Sequence, residues 1–341
     1  MILVTGGSGL VGSHLLYFLL KENRTVRAIR REKSDLSKVL KVFSYYTNNA
    51  EELYHRIEWI EADITKIPSL SEAFKGITKV YHCAAFISFD TSHFEKLRKV
   101  NIEGTANVVN LCLANSIEKL CYVSTVAALG FLENGNIIEE DTEWKPEAEN
   151  SVYAISKYGA EMEVWRGIQE GLKAVIVNPS VIVGEGFWDS GIGTILKIID
   201  KKMPFYPNGG VGIVDVRDVV KIMILLMESD KTNRKFILSA HNIFYKTLFY
   251  ELTALLGRKP PKGEIEKWKL MFLSKIDWFV HHLLGTKRKL PKALVKSLYT
   301  VSFYNNDKIK KALDYNFIPL QETLQRVTGY YSSSKESDSI D

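Results

Sequence analysis

The stretch Thr5-Gly6-Gly7-Ser8-Gly9-Leu10-Val11-Gly12 lies between an apolar strand-like segment, Ile2–Thr5, and a helix-like segment, Leu10–Lys21. Glycines at these spacings allow a tight turn, a close backbone approach to a pyrophosphate, and close packing of helix on strand. The first helical turn, with Leu10 and Val11, would offer free N–H groups to the phosphates. We therefore predict a dinucleotide-binding turn. An ATP-binding P-loop is not indicated, because no Gly-Lys-Ser/Thr follows, and the alternative is a glycine turn that binds no ligand.

Strand-like and helix-like segments alternate through the first 180 residues. Further strands are predicted at Thr25–Ile29, Ile57–Glu61, Lys79–His82, Lys119–Ser124 and Ala174–Val177, and further helices at Leu70–Phe74, Val100–Ala114 and Ser151–Gln169. Strands separated by helices imply right-handed crossovers and a parallel sheet with helices on both faces. The predicted fold class is therefore α/β, a doubly wound parallel sheet of the Rossmann type.

The alternation of strand-like and helix-like segments becomes irregular after residue 180, where glycines and prolines are frequent. We predict an NAD(P)-binding domain over 1–180, with some later segments returning to it, and a smaller, mainly helical substrate-binding region over 181–331. Helices are expected in that region near Val216–Met227, Tyr245–Leu256 and Glu264–Leu284. The polar, serine-rich segment 332–341 is predicted to be a frayed, flexible tail.

Composition excludes several classes of protein. The 341 residues carry a net charge of +5, which is too small to indicate nucleic-acid binding. Cys83, Cys112 and Cys121 form no C-x-x-C pair, so we expect free thiols, and no histidine spacing indicates a metal site. A strand at residue 2 leaves no room for a signal peptide, and no apolar run is long enough to span a bilayer. We therefore expect a cytoplasmic protein without a metal.

The glycine turn resembles the TGxxGxxG signature of the extended short-chain dehydrogenase/reductase family, with Gly6, Gly9 and Gly12 at its glycines. This family includes enzymes of the NAD-dependent epimerase/dehydratase type. The segment Val26–Arg31 is similar to the VRALVR segment of the dihydroflavonol-reductase-like branch. The resemblance covers nearly the whole chain, and its motifs indicate the cofactor far better than the substrate.

Arg30 and Arg31 end the second predicted strand, where a dinucleotide fold holds the adenosine ribose. A guanidinium there accommodates the 2′-phosphate of NADP, whereas an acidic residue binds the 2′-hydroxyl of NAD. The two arginines favour NADP, and Glu32 keeps NAD open as the alternative. Alternatively, Arg30 and Arg31 extend into solvent at the end of the strand and bind no ligand.

The resemblance implies further cofactor contacts. In the family, Asp63 would contact the adenine beside Ile64, although an N-cap or turn role is the alternative. Small residues after the fourth strand let the backbone approach the cofactor, here Ala84 and Ala85. Asn101 matches the asparagine of the family's NVxGT helix.

Tyr153 and Lys157 are four residues apart and therefore share one helix face. A nearby ammonium would stabilise the Tyr153 phenolate and lower its pKa toward neutrality, which suits proton exchange with a substrate oxygen. Tyr-x-x-x-Lys alone is common on helix surfaces, but here it follows the glycine turn and precedes a strand. Lys157 would also hold the nicotinamide ribose.

A hydroxyl after the fifth strand would complete the catalytic group. The resemblance assigns the substrate-oxygen contact to Thr125, by its register from Gly130, with Ser124 as the alternative. Asn178-Pro179-Ser180 resembles the NPxxVxGP segment of dihydroflavonol and cinnamoyl-CoA reductases, which implies that Pro179 and Ser180 lie beside the nicotinamide. Glu185 replaces the usual proline of that segment.

Together these features predict NADPH-dependent reduction of a ketone or aldehyde on a small organic substrate. Two alternative functions stay open. A nucleotide-sugar epimerase or dehydratase with retained NAD uses the same Tyr/Lys pair. A regulatory cofactor-binding protein without turnover is disfavoured by the intact Thr125, Tyr153 and Lys157 set. By resemblance, the enzyme would form a homodimer.

Trp268–Lys289 is aromatic, apolar and basic. Such a stretch can lie on an anionic membrane surface. The alternative is that it packs against the domain or against a lipophilic substrate.

Overall fold

The computed structural model describes residues 1–131, 137–202, 204–286 and 288–338. The strands are β1 (Ile2–Thr5), β2 (Val26–Arg30), β3 (Glu58–Glu61), β4 (Lys79–His82), β5 (Lys119–Val123), β6 (Ala174–Pro179), β7 (Val181–Val183), β8 (Phe205–Tyr206), β9 (Gly210–Asp215), β10 (Arg234–Leu238), β11 (His241–Phe244) and β12 (Gly263–Glu264).

The α-helices are α1 (Leu10–Lys21), α2 (Ser37–Ser44), α3 (Ala50–His55), α4 (Ile67–Ala73), α5 (Phe94–Leu97), α6 (Gly104–Ala114), α7 (Val152–Gln169), α8 (Ile192–Asp200), α9 (Val216–Glu228), α10 (Tyr245–Leu255), α11 (Lys267–Leu284), α12 (Lys292–Ser297), α13 (Asp307–Leu313) and α14 (Leu320–Asp338). A π-helical turn, Arg98–Glu103, joins α5 to α6, so the helix predicted over Val100–Ala114 changes its hydrogen-bonding pattern at residue 104.

The central sheet has seven parallel strands in the order β10-β6-β5-β4-β1-β2-β3, which confirms the predicted fold class. Alternate strand residues enter different cores: Leu3 packs with α6 and α7, whereas Val4 packs with α1 and α9. Both side chains are fully buried, as expected for a sheet covered on both faces. Strand β10 extends this sheet although it lies beyond residue 180.

The later part of the chain forms a smaller region of its own. Strands β7, β9 and β11 make a three-stranded sheet, and β8 pairs with β12. Apolar residues of α8, α10 and α14 pack on the three-stranded sheet as a separate core. Helix α11 begins at Lys267 rather than at Glu264, because residues 263–264 are paired in β12.

Helix α14 extends into the segment that was predicted to be a flexible tail. Residues 332–338 continue this helix, and the Ser334 hydroxyl donates to the carbonyl of Tyr331 within it. The flexibility of this segment stays a prediction. Residues 339–341 of the predicted tail lie outside the described part of the chain. Every described helix is too short or too polar to traverse a bilayer.

Candidate active site

The glycine turn between β1 and α1 is closely packed backbone. Gly6 has φ +71°, and a Cβ atom there would lie 2.6 Å from the backbone nitrogen of Ala84. A Cβ on Gly12 would lie 2.2 Å from the Gly6 carbonyl oxygen. Helix α1 starts at Leu10 directly after Gly9, whose N–H donates to the Gly6 carbonyl at 3.0 Å. The turn therefore leaves the first N–H groups of α1, including those of Leu10 and Val11, clear of side chains, and it fits a pyrophosphate.

A cavity of about 460 Å³ opens at the carboxyl ends of β2 and β3. It is lined by charged and small residues: Arg31, Glu32, Lys33, Glu61, Ala62, Asp63, Lys66 and Ser69. The structure separates the two predicted arginines, because Arg31 lines this cavity whereas Arg30 makes an ion pair with Glu61 at 3.7 Å. Of the two arginines, Arg31 lines this cavity itself, whereas Arg30 is paired with the lining residue Glu61.

Asp63 lines this cavity, whereas its neighbour Ile64 does not belong to the lining. The Asp63 carboxylate accepts hydrogen bonds from the Thr65 amide at 2.9 Å and the Thr65 hydroxyl at 2.8 Å. Burial acts to raise the pKa of Asp63, but these hydrogen bonds outweigh it and lower the pKa. Ile64 is buried and packs against Gly104. Asp63 therefore forms a local turn and also lines the cavity.

Ala84, Ala85 and Asn101 lie where β4 ends. Ala84 packs against Gly6, and its N–H donates to the Thr5 hydroxyl at 3.2 Å, while Ala85 is exposed. Asn101 is buried on the π-helical turn, where its side-chain oxygen accepts from the Phe86 amide at 2.7 Å. Its amide nitrogen donates to the Phe86 carbonyl and to the Ser156 hydroxyl, each at 2.9 Å. Asn101 thus ties the segment after β4 to α7.

Tyr153 and Thr125 are brought together by α7 and the segment after β5. Their side chains are hydrogen-bonded, which acts to lower the pKa of Tyr153, but burial dominates and raises that pKa to about 12. The sequence had predicted a lowered value. The protein's own groups therefore act opposite to this prediction, because burial outweighs the Thr125 hydrogen bond.

Lys157 is 2% exposed and is held by β5. Its ammonium donates to the Tyr122 hydroxyl at 2.7 Å and to the Val123 carbonyl at 2.9 Å. Burial lowers the pKa of Lys157 to about 7, against the raising effect of the Glu161 carboxylate. The Lys157 side chain therefore changes between its charged and neutral forms near neutral pH.

Ser124 is hydrogen-bonded to Glu161 rather than to Tyr153. Its hydroxyl donates to the Glu161 carboxylate at 2.6 Å, and the Asn178 amide donates to the same oxygen at 2.9 Å. Asn178 also donates to the Thr125 carbonyl at 3.0 Å, so this buried cluster fixes the backbone that carries Thr125. Of the two candidate hydroxyls, only Thr125 is thus directed at Tyr153.

A buried chain of hydrogen bonds connects Lys157 with the glycine turn. The Thr5 hydroxyl accepts from the Ala84 amide at 3.2 Å and is hydrogen-bonded to His82 Nδ1 at 2.6 Å, and His82 Nε2 is hydrogen-bonded to the Thr105 hydroxyl at 3.0 Å. Thr105 in turn hydrogen-bonds Tyr122, the partner of Lys157. Burial lowers the pKa of His82 to about 3, so this histidine is neutral.

Sequence reasoning had missed this chain and the Glu161 cluster. The one feature of the sequence that could have indicated them is the presence of polar residues at core positions of β1, β4, β5 and α7, where apolar residues are usual. Such residues must find partners when buried, but the sequence does not say which ones.

On the substrate side, Pro179 ends β6 beside Leu238 of β10, and the Ser180 amide donates to the Leu238 carbonyl at 3.0 Å. Glu185 is fully buried and bonds Arg217 at 2.6 Å, so a charged pair replaces the expected proline. A second cavity, of about 430 Å³, is lined by Phe89, whose ring centre lies 5.7 Å from that of Tyr153. Among the described residues, no group of three or more His, Cys, Asp or Glu could hold a metal ion.

The sequence pattern of the NAD dependent epimerase/dehydratase family matches residues 2–239. This chain belongs to that family. It is an NAD(P)-dependent enzyme of the extended short-chain dehydrogenase/reductase type, which confirms the family predicted from the sequence.

Similar proteins include reductases. A Synechocystis sp. protein with a provisional name as a dihydroflavonol 4-reductase is 30% identical over 318 residues, covering 91% of this chain and 88% of the relative. Tetraketide alpha-pyrone reductase 2 of Arabidopsis thaliana is 31% identical, covering 77% of this chain and 84% of the relative. The crystal structure of gox2253 matches with a TM-score of 0.81 and 29% identity over 98% of both chains.

Proposed function

We propose that the enzyme reduces a ketone or aldehyde on a small organic substrate, with NADPH as the preferred cofactor. The observation that carries this proposal is the hydrogen-bonded pair of Tyr153 and Thr125 hydroxyls, one turn of α7 before the buried Lys157. Two adjacent hydroxyl groups can both bond one carbonyl oxygen. The names of the two reductase relatives favour the same reaction class.

The chain's own residues would hold the cofactor at three places. The backbone of Gly6, Gly9 and Gly12 and the N–H groups of α1 would bind the pyrophosphate, Arg31 the 2′-phosphate, and Lys157 the nicotinamide ribose. The nicotinamide, when bound, supplies the hydride chemistry. Pro179 and Ser180 are proposed to flank it on the substrate side.

In the proposed mechanism, Thr125 orients the carbonyl oxygen and Tyr153 donates its proton to that oxygen as negative charge develops. The raised pKa of Tyr153 keeps its proton in place at neutral pH, which suits a proton donor in reduction. The Thr125 hydroxyl, which acts to lower the pKa of Tyr153, stabilises the phenolate left behind, while the Lys157 ammonium, fixed by Tyr122 and Val123, would hold the nicotinamide ribose.

A cofactor-consumption assay tests the reaction class. Purified enzyme should oxidise NADPH in proportion to alcohol formed when it is given an aldehyde or ketone panel. Turnover of a nucleotide sugar without net NADPH consumption, by enzyme that retains NAD, would instead establish the epimerase or dehydratase reading.

The cofactor preference is tested by a pair of arginine variants. Arg31→Ala should raise the KM for NADPH by about tenfold or more, because a charge-assisted hydrogen bond is lost, and should leave the KM for NADH nearly unchanged. Arg30→Ala, which removes an arginine paired with Glu61, is the matched control and should alter neither constant greatly. Equal KM values for NADH and NADPH in the unmodified enzyme would refute the preference.

A further inference from the structure

Helix α11 presents an apolar stripe to solvent. Its two buried residues, Leu270 and Ser274, face the protein. Five large side chains lie on the opposite side, within about 80° of arc, and each is 44–64% exposed: Trp268, Phe272, Ile276, Phe279 and Leu283. The stripe therefore runs the full length of the helix on the side away from the protein.

Exposed apolar side chains are concentrated here. Of 21 large hydrophobic residues that are exposed in the described chain, nine belong to α11. Single exposed apolar residues are ordinary, but a contiguous patch marks a surface that is covered in use. A shallow groove of about 690 Å³ between Trp268 and Phe272 adds to this surface.

Charge identifies what covers the patch. Lys267, Lys269 and Lys275 accompany the stripe, whereas Asp277, the sole acidic residue of α11, accepts hydrogen bonds from the amides of Lys289 and Leu290. The Asp277 carboxylate also pairs with Arg288 at 3.5 Å, so it is turned toward the protein. Lysines beside exposed Trp, Phe and Leu on one helix are typical of helices that lie in the interface of an anionic bilayer. A second copy of α11 would bring the same lysines and no further acidic residue besides Asp277 to neutralise them.

The inner side of α11 leads toward the active site. The cavity of about 430 Å³ is walled by Met271, Ser274 and Trp278 of α11 and by Phe89. The Phe89 ring is the one that contacts Tyr153. One helix thus has the exposed stripe on its outside and the wall of this cavity on its inside.

We propose that α11 docks flat on an anionic membrane surface and that the substrate is a lipophilic carbonyl compound that reaches Tyr153 through this cavity. The second half of the proposal rests on the proposed reductase function. The first half depends only on the surface of α11.

Vesicle sedimentation tests the docking. The enzyme should sediment with vesicles of phosphatidylcholine and phosphatidylserine, and much less with phosphatidylcholine alone or at high salt. The double variant Phe272→Ser/Phe279→Ser should lose at least nine-tenths of this binding. Phe205→Ser, which alters an exposed phenylalanine on β8, is the matched control and should bind like the unmodified enzyme.

Three results would overturn the docking: no binding to the anionic vesicles, undiminished binding by the double variant, or a dimer in lipid-free buffer that the double variant dissociates. The last result would assign the stripe to a second copy of the chain.

Activity separates the two halves of the proposal. The double variant should reduce a short water-soluble aldehyde like the unmodified enzyme, but should reduce a long-chain aldehyde embedded in anionic vesicles at least tenfold more slowly. Equal rates with the embedded aldehyde would overturn the lipophilic route. Vesicle binding with no reduction of either aldehyde by the unmodified enzyme would refute the reductase function and leave the docking supported.

Discussion

Helices α7 and α11 are both 18 residues long and have opposite surfaces. Helix α7 buries polar side chains, among them Lys157 and Glu161, and surrounds each with hydrogen-bond partners. Helix α11 instead exposes aromatic side chains such as Phe272 and Phe279. Each helix departs from the usual distribution of apolar residues inside and polar residues outside. The two proposals assign a function to each departure, with chemistry at the enclosed polar groups and docking at the uncovered apolar ones.

The largest effect is expected at Tyr153. Tyr153→Phe should lower kcat about 10²- to 10⁴-fold, because it removes the proposed proton donor. NADPH binding, measured by fluorescence titration, should be retained. Tyr158→Phe, on the same helix and stacked on Trp144, is the control and should stay within a few-fold of the unmodified enzyme. Full activity of the Tyr153→Phe enzyme would show that the Tyr153 hydroxyl on α7 takes no part in the reaction.

Substitutions at the neighbouring residues Thr125 and Ser124 should have different effects, the first on kcat and the second on the free energy of unfolding. Thr125→Ala should lower kcat about 10²-fold by removing a donor to the substrate oxygen. Ser124→Ala should leave kcat within a few-fold but lower the free energy of unfolding by about 1–3 kcal/mol, because Glu161 loses a buried donor. Steady-state kinetics and urea unfolding measure the two effects, and the reverse pattern would exchange the roles of the two residues.

The Glu161 carboxylate should set the pH range of activity. The Lys157 ammonium is charged below its pKa of about 7 and neutral above it, so kcat/KM for reduction should fall as the pH rises through that value. Since Glu161 raises the pKa of Lys157, Glu161→Gln should move this fall to lower pH. Glu163→Gln, which removes a partly exposed partner of Arg166, should leave the profile in place. An unmoved profile in Glu161→Gln would contradict the coupling.

The smallest effect is expected on α11. Phe272→Ser should change the free energy of unfolding by less than about 0.5 kcal/mol, because the ring is 59% exposed and contributes little to the core. Urea unfolding without lipid measures this. A loss of several kcal/mol would mean that the stripe packs against the enzyme itself, and the contrast between α7 and α11 would no longer hold.

Local chemistry explains which features were predictable. The glycine turn follows from Gly6 and Gly12, because their positions leave no space for a Cβ atom within a single short segment. The Tyr153–Lys157 spacing likewise follows from one helix turn. Helix α2 and helix α3 escaped prediction, and strand β10 was anticipated only as a return of some later segment to the sheet. A strand's place in a sheet depends on distant pairing, here with β6.

The sequence by itself determined the alternation of strands and helices, the glycine turn and the placing of tyrosine and lysine on one helix, because each depends on neighbours a few residues apart. Only the tertiary structure gave Thr125 and Ser124 different partners, and likewise Arg31 and Arg30. It alone also joined Thr5 to His82 across 77 residues of chain. The physical reason is that a buried polar group must find a partner, and the fold, rather than the local sequence, decides which partner lies within reach.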